Sequence, residues 1–377
     1  MHSLLFSKLI PGGNPTIILH EPALSPESLA LIAGECMSSM HIQAEQVGAL
    51  YVKERSVPRL EMMGGEFCVN ATRAAGMLLA RTKTLKALSL TISKEITPVL
   101  YDGRVSGWAG ELSVSGMSEP AGLFVCNDKE SFHLVLKEAG LQSAATRDSL
   151  WSFLLAGEPD VFSCSANRKE TPSFAPHTPS DEADENTLLP QCYCAARVEC
   201  AGSFTCSEMQ KGVFLVQMPG ITHILVDTVH HPFPGLEEST WKKASAVWRK
   251  KCDIELEPAS GVVWYSRRGD GFQIWPAVAV RASSSEHLET ACGSAALALA
   301  WREGEEKFHR SAGKVLHGRS GERYNCEIQP FQILQPSGEF LEVFFELAET
   351  FPPLPSAAWV CGPVSLVARG SAYFPSL

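Results

Sequence analysis

Two stretches of this chain carry one short theme in the same surroundings. Cys68-Val-Asn-Ala-Thr-Arg-Ala-Ala opens an Ala-rich run over 70–81, and Cys292-Gly-Ser-Ala-Ala-Leu-Ala-Leu opens another over 294–303. Upstream of each lies a turn followed by β-branched residues: Pro11-Gly-Gly-Asn-Pro-Thr-Ile-Ile-Leu-His20 in the first half, Pro219-Gly-Ile-Thr-His-Ile-Leu-Val-Asp227 in the second. A repeat with its elements in one order makes each copy a structural unit, and two copies predict two similar units about a pseudo-twofold axis. Chance recurrence of small residues would give the same letters, so the elements around the theme and the chemistry of the two cysteines bear on the choice.

Periodicity fills in the elements. Residues 15–20 read as a strand, 26–39 as a helix with Ser25 at its N-cap, and 45–53 and 58–62 as strands before the break at Gly64-Gly65. Short alternating runs over 87–117, punctuated by Asp102-Gly103 and Gly107, predict hairpins. Residues 119–163 show helical patterns, and 164–190, dominated by Ser, Thr, Pro, Asp and Glu, read as a disordered surface insertion. Strands are expected at 213–218, 221–227, 261–266, 272–280, 323–348 and 363–374, with helices over 238–251 and 294–303.

Composition narrows the class. The 377 residues are 45% hydrophobic and 20% charged, ordinary for a globular chain of two to three domains. A net charge of -10 argues against a nucleic-acid partner, and Arg249-Lys250-Lys251 reads as a solvated helix face. Neither a secretory signal nor an apolar run of membrane-spanning length is present, so no membrane partner and a cytoplasmic location are expected. There are 12 cysteines; Cys192, Cys194, Cys200 and Cys206 lack the spacing and the ordered histidine of a zinc site, and unpaired thiols on strands are favoured, with no metal expected.

Cys68 and Cys292 gain meaning from their place at helix starts. Unpaired backbone N–H groups and the partial positive charge there favour a thiolate and hold a carboxylate. Asn70 and Ser294 are N-cap residue types just after each cysteine, and the small residues 293, 295 and 296 let a ligand approach the backbone. Inverting an amino acid's α-carbon needs a base on one face, an acid on the other, and stabilisation of the enolate-like charge on the carboxylate. Two cysteines at two helix starts meet those needs without a cofactor. A small buried residue before an Ala-rich helix is the plainer reading of either cysteine alone; the matching contexts favour chemistry.

At these residues the chain resembles the diaminopimelate epimerase superfamily, and within it the histidine racemases of opine-metallophore biosynthesis. The stretches are Gly13-Asn14-Pro15-Thr16, Glu45-Gln46-Val47-Gly48, Gly65-Glu66-Phe67-Cys68-Val69-Asn70-Ala71-Thr72, Glu289-Thr-Ala-Cys292-Gly-Ser-Ala and Ala368-Arg-Gly-Ser-Ala-Tyr373. The resemblance implies an α+β fold of two pseudo-symmetric, β-rich, barrel-like domains, each around a central helix, with the active site between them. The N-terminal domain would span 1–118, joined by the strand 363–377; an insertion would span 119–195; the C-terminal domain would span 196–362. It implies catalysis by Cys68 and Cys292, substrate contacts from Asn14, Gln46 and Val69, and a carboxylate held by Asn70, Gly293 and Ser294. Glu289 would contact the amine or side chain; His223, at a strand start, is as readily structural as functional. A small-molecule amino-acid substrate, no cofactor and a possible homodimer are also implied.

The chain departs from that pattern in places. Val69 stands where the first motif has Gly, so its side chain must point away or narrow the pocket. The Glu-Arg pair and the second-domain asparagines that grip the distal end of diaminopimelate are missing, with Ala282-Ser-Ser-Ser-Glu-His287 and Ile221 near those places, which argues against diaminopimelate as substrate. Phenazine-type isomerases share the architecture but lack the cysteine pair, and proline-type epimerases have a different first motif. A cysteine hydrolase finds no nucleophile motif here. A non-catalytic amino-acid-binding protein on the same scaffold is the alternative that Val69 supports.

Overall fold

The computed structural model describes residues 2–20, 24–38, 40–53, 56–81, 96–101, 104–146, 151, 154, 191–200, 202–315, 330–347 and 355–374. The expected disordered insertion over 164–190, with Cys164, and Cys326 in the second half lie outside them.

The first half begins with a hairpin, β1 (His2–Pro11) and β2 (Thr16–Leu19), then α1 (Pro26–Met37), β3 (Gln46–Tyr51) parallel to β2, and β4 (Arg59–Met62) antiparallel to β3. Cys68 and α2 (Val69–Arg81) come next, then β5 (Ile96–Tyr101), β6 (Arg104–Val114), β7 (Ala121–Cys126) and α3 (Lys129–Thr146). After β8 (Cys192–Glu199) and β9 (Thr205–Gln210) the pattern restarts. Hairpin β10 (Val213–Met218) and β11 (Ile221–Asp227) leads to α4 (Glu238–Lys251), β12 (Ala259–Arg268) parallel to β11, and β13 (Gly271–Val280) antiparallel to β12. Then come β14 (Ser285–Leu288), Cys292, α5 (Gly293–Val315), β15 (Phe331–Leu334), β16 (Phe340–Leu347) and β17 (Pro355–Phe374). In both halves a strand after the central helix adds parallel to a strand that precedes the cysteine: β6 beside β4, and β15 beside β13, with β14 between β13 and Cys292.

The strands join into a single mixed sheet, and the class is α+β. In the first half the pairings run β1–β2–β3–β4–β6–β7–β8–β17 and return to β1. One of those strands, β7, and the start of another, β8, fall in the 119–195 stretch read from sequence as insertion. Residues 121–126, expected to be helical, form β7, buried along its whole length, and β8 starts at Cys192. A fully buried strand has no alternation to betray it, so Ala121-Gly-Leu-Phe-Val-Cys126 gives no period-2 signal.

The helices divide by burial. Every residue of α2 from Val69 to Ala80 is buried, Asn70, Thr72 and Arg73 included, and α5 is buried or half-buried over 293–305. Helices apolar on all sides belong inside, and their alanines let strands approach closely. The two central helices touch each other. The outer helices are amphipathic: α1 buries Leu29, Ile32, Ala33 and Cys36, capped by the Ser25 hydroxyl on the Ser28 N–H. In α4, Arg249 is not part of a solvated face. It is buried between Ser245 and Glu286, bonding both, because Trp241 and Trp248 turn that stripe inward; Lys250 and Lys251 remain exposed.

Candidate active site

Cys68 and Cys292 line one cavity. Each is the residue before a central helix, and each helix starts on the cysteine's carbonyl: Thr72 N–H donates to Cys68 O at 3.0 Å and Ala296 N–H to Cys292 O at 3.1 Å. The sulfurs act as caps as well. Ala71 N–H donates to Cys68 Sγ at 3.3 Å, and the matching Ala295 N–H favours the Cys292 thiolate. The capping atoms are therefore the cysteines' own, not those of Asn70 or Ser294.

The other expected residues fall into two sets. Gln46, Glu289 and Ser294 line the cavity with the cysteines. Cys68 Sγ donates to Gln46 Oε1 at 2.8 Å, and Gln46 Nε2 donates to Glu289 Oε1 at 2.9 Å. Glu289 neighbours the Cys292 thiol, so a polar path links the two sulfurs across the halves. Ser294 Oγ lies 3.4 Å from Cys292 Sγ and 3.0 Å from His223 Nε2. His223 is fully buried, which pushes its pKa down to about 3, so it is neutral and positions Ser294.

Asn14, Val69, Asn70 and Gly293 sit behind the cavity. Asn14 and Asn70 both donate to Ala291 O, at 3.0 and 2.9 Å, pinning the backbone before Cys292 to the first half. A Cβ on Gly293 would come within 2.7 Å of Val69 Cγ1. The valine therefore points at the opposite helix start, away from the lining. Asn70 Oδ1 and Glu289 Oε2 are buried without a partner.

Sequence reasoning assigned no role to the rest of the lining: Glu45, Glu66, Met63, Phe67, Ile221, Val278, Val280, Ser285 and His287. Glu45 accepts from Asn14, and from the Thr290 N–H and hydroxyl, at 2.8 to 3.0 Å. Burial pushes the Glu45 and Glu66 carboxyls up to about 7 and that of Glu289 up to about 8. The motif letters around Glu45 and Glu66 were visible, but nothing in the sequence brings them together.

The thiols differ from the sequence expectation. Helix N–H groups do favour the thiolates, but burial outweighs them and holds both pKa values well above the ordinary thiol range, with Glu289 adding to the rise at each. Cys68 and Cys292 are 6% and 3% exposed. Two protonated thiols thus face the cavity beside three carboxyl groups whose pKa values burial has raised.

Comparison with known proteins places the fold first. The chain superposes on a probable proline racemase from Agrobacterium radiobacter K84 with a TM-score of 0.53, covering 99% of this chain and 93% of that one at 8% identity. The likeness is one of fold. A second similarity lies in sequence: residues 3–99 match the family described as histidine racemase CntK N-terminal domain. Two histidine racemases from strains of Fusobacterium nucleatum subsp. nucleatum are 38% and 40% identical over 106 residues, 27% of this chain. The match spans 38% of those relatives' length, and the family match over 3–99 includes Cys68. Among the described residues no helix is long and apolar enough to cross a membrane.

Proposed function

We propose that the chain is a cofactor-independent amino-acid racemase or epimerase in which Cys68 and Cys292 work from opposite faces of the α-carbon. The observation that carries this reading is one cavity receiving two cysteines, each capping a buried central helix with its own sulfur. The likeness of the N-terminal part to histidine racemases supports it, and makes histidine the first substrate to try. The two halves act as units, the first of 1–118 and 363–377 completed by β7 and β8, the second between β8 and residue 362, barrel-like around α2 and α5, with the site between them.

The substrate's carboxylate sits at the helix starts, where N–H groups and the Ser294 hydroxyl stabilise the charge that grows as the Cα–H bond breaks. Its ammonium lies against Glu289, whose Oε2 has no other partner. That positive charge offsets the carboxylates that hold the thiols protonated, and one cysteine releases its proton to solvent as the substrate enters and becomes the thiolate. It takes the α-proton; the opposite thiol gives its proton to the other face. The centre is inverted and the two sulfurs have exchanged protonation states, ready for the reverse reaction. Among the described lining residues there is no Lys or Arg to meet a distal carboxylate, which disfavours diaminopimelate.

The test is α-proton exchange in D2O by NMR with chiral chromatography, on reduced protein without pyridoxal phosphate, across the amino acids and L,L-diaminopimelate. Exchange with inversion of one amino acid is expected, reduced at least 100-fold in Cys68→Ser and Cys292→Ser, as for loss of a positioned acid or base. No exchange with any of them, or full activity in either variant, would sink the reading.

A further inference from the structure

Three carboxylates surround the cavity, and only two are engaged by groups the chemistry uses. Glu45 is held by Asn14 and Thr290, and Glu289 takes Gln46 on Oε1 and Cys292 beside it, with Oε2 left for the substrate ammonium. The Glu66 carboxylate is met only by backbone N–H groups, that of Gly64 at 2.8 Å and its own, while Ser115 bonds the Glu66 carbonyl instead. The residue is 5% exposed, and its carboxylate takes part in none of the described ion pairs. A carboxylate taken out of water without a cation is costly, and a ligand that supplies the cation removes the cost.

Its position says which part of a ligand it meets. A Cβ on Gly64 would lie 2.8 Å from Glu66 Oε2 and 2.3 Å from Val280 Cγ1, so the carboxylate stands at the wall made by β13 and β14. Val280 pairs with Ser285 and Val278 with His287 on that wall. The helix starts of α2 and α5 take the α-carboxylate, and Glu289 takes the ammonium. What remains to face the β13–β14 wall is the side chain. Of the lining groups there, only His287 could be cationic, and burial together with Lys242 lowers its pKa.

We propose that Glu66 reads the substrate's side chain, selecting amino acids whose side chain carries a hydrogen-donating, cation-forming nitrogen, such as an imidazole or a short amine, over neutral ones. The proposal rests on the racemase reading of the same cavity and adds its selectivity. Apolar Val278, Val280 and Ile221 pack the carbon atoms of such a side chain, while Glu66 takes its N–H.

The experiment compares kcat/KM for L-histidine and for L-phenylalanine in the wild type, Glu66→Gln and Glu66→Asp, alongside calorimetric binding of both amino acids. The histidine-to-phenylalanine ratio is expected to fall about 10- to 100-fold in Glu66→Gln, the scale of a lost charged hydrogen bond, and to fall less in Glu66→Asp. A ratio unchanged in Glu66→Gln overturns the proposal, whether or not overall activity drops, since a merely structural role lowers both substrates together. If the wild type turns over nothing, the racemase reading fails, and the calorimetry still decides for Glu66: tighter binding of histidine that is lost in Glu66→Gln supports it, and equal binding of the two overturns it. Should Glu66→Gln not fold, a wild type that binds histidine no better than phenylalanine overturns it as well.

Discussion

At the scale of single residues, Cys68 and Cys292 each put one sulfur to two uses, capping a helix and facing the cavity, and their surroundings are not equivalent. Cys68 leans on the amide oxygen of Gln46, which accepts a proton's hydrogen bond but not the proton; Cys292 has a carboxylate and a serine held by His223. The cysteines and the motif stretches around them were legible in sequence because helix starts and small residues leave local signatures. The Gln46–Glu289 contact was not, since it joins residues 243 apart, nor was the dominance of burial over the helix ends in setting the thiols. The three raised carboxylates carry a consequence for stability. Glu45, Glu66 and Glu289 hold their protons in the folded chain well above the ordinary 4.5, so the folded state binds more protons than the unfolded one between that value and about 7 to 8. Their contribution is full below 4.5 and is lost as pH rises through the folded values. Buried His20 and His223 act in the opposite sense, but only below their ordinary 6.5, and the two thiols reinforce the carboxylates at higher pH. The melting temperature of the ligand-free protein should therefore fall from about pH 6.5 to 8.5, with a shallower slope in Glu66→Gln; a rising curve, or parallel slopes, would contradict it.

At the scale of elements, the helices were read well and the strands less so. Ser25 caps α1 as its sequence suggests, and both Ala-rich runs became buried helices, although α5 continues to Val315, well past the expected end at 303. The first strand, His2–Pro11, was overlooked because Ser3, Ser7 and Lys8 break its apolar run, and β7 because it has no polar face at all. Sheet membership is settled by partners far away in sequence, and a window of ten residues does not contain them. The contact between the two central helices is where the pseudo-symmetry has to be broken. Val69 and Gly293 hold equivalent places after the cysteines, and they meet, so only one of the pair can carry a side chain. Gly293→Ala should cost about 1–3 kcal/mol in chemical denaturation, the usual penalty for overpacking, and Val69→Gly in the same chain should return most of it. Additive costs for the two changes would mean that the helix starts do not touch as described.

At the scale of the whole molecule, β17 ties the halves together. Its first part pairs with β16 and β8; its second part, Val364 to Phe374, runs along β1 from Pro11 to His2. This strand was expected from 363, as the piece that joins the N-terminal half, and it begins earlier, at Pro355. Deleting residues 364–377 should leave β1 with one unpaired edge and expose the first half, read as loss of amide-exchange protection in β1, β2 and α2 or as insolubility. Protection unchanged from that of the full chain would show that the strand is dispensable. The same arrangement bears on how the protein is made. β1 leaves the ribosome well ahead of β17, which follows every other described element, so at roughly 5–20 residues per second the N-terminal half waits on the order of tens of seconds for its missing neighbour. Through that wait the apolar α2 and an open strand edge are available to other nascent chains, and yield in a cell should depend on growth temperature and chaperone supply more steeply than the stability of the finished fold would suggest.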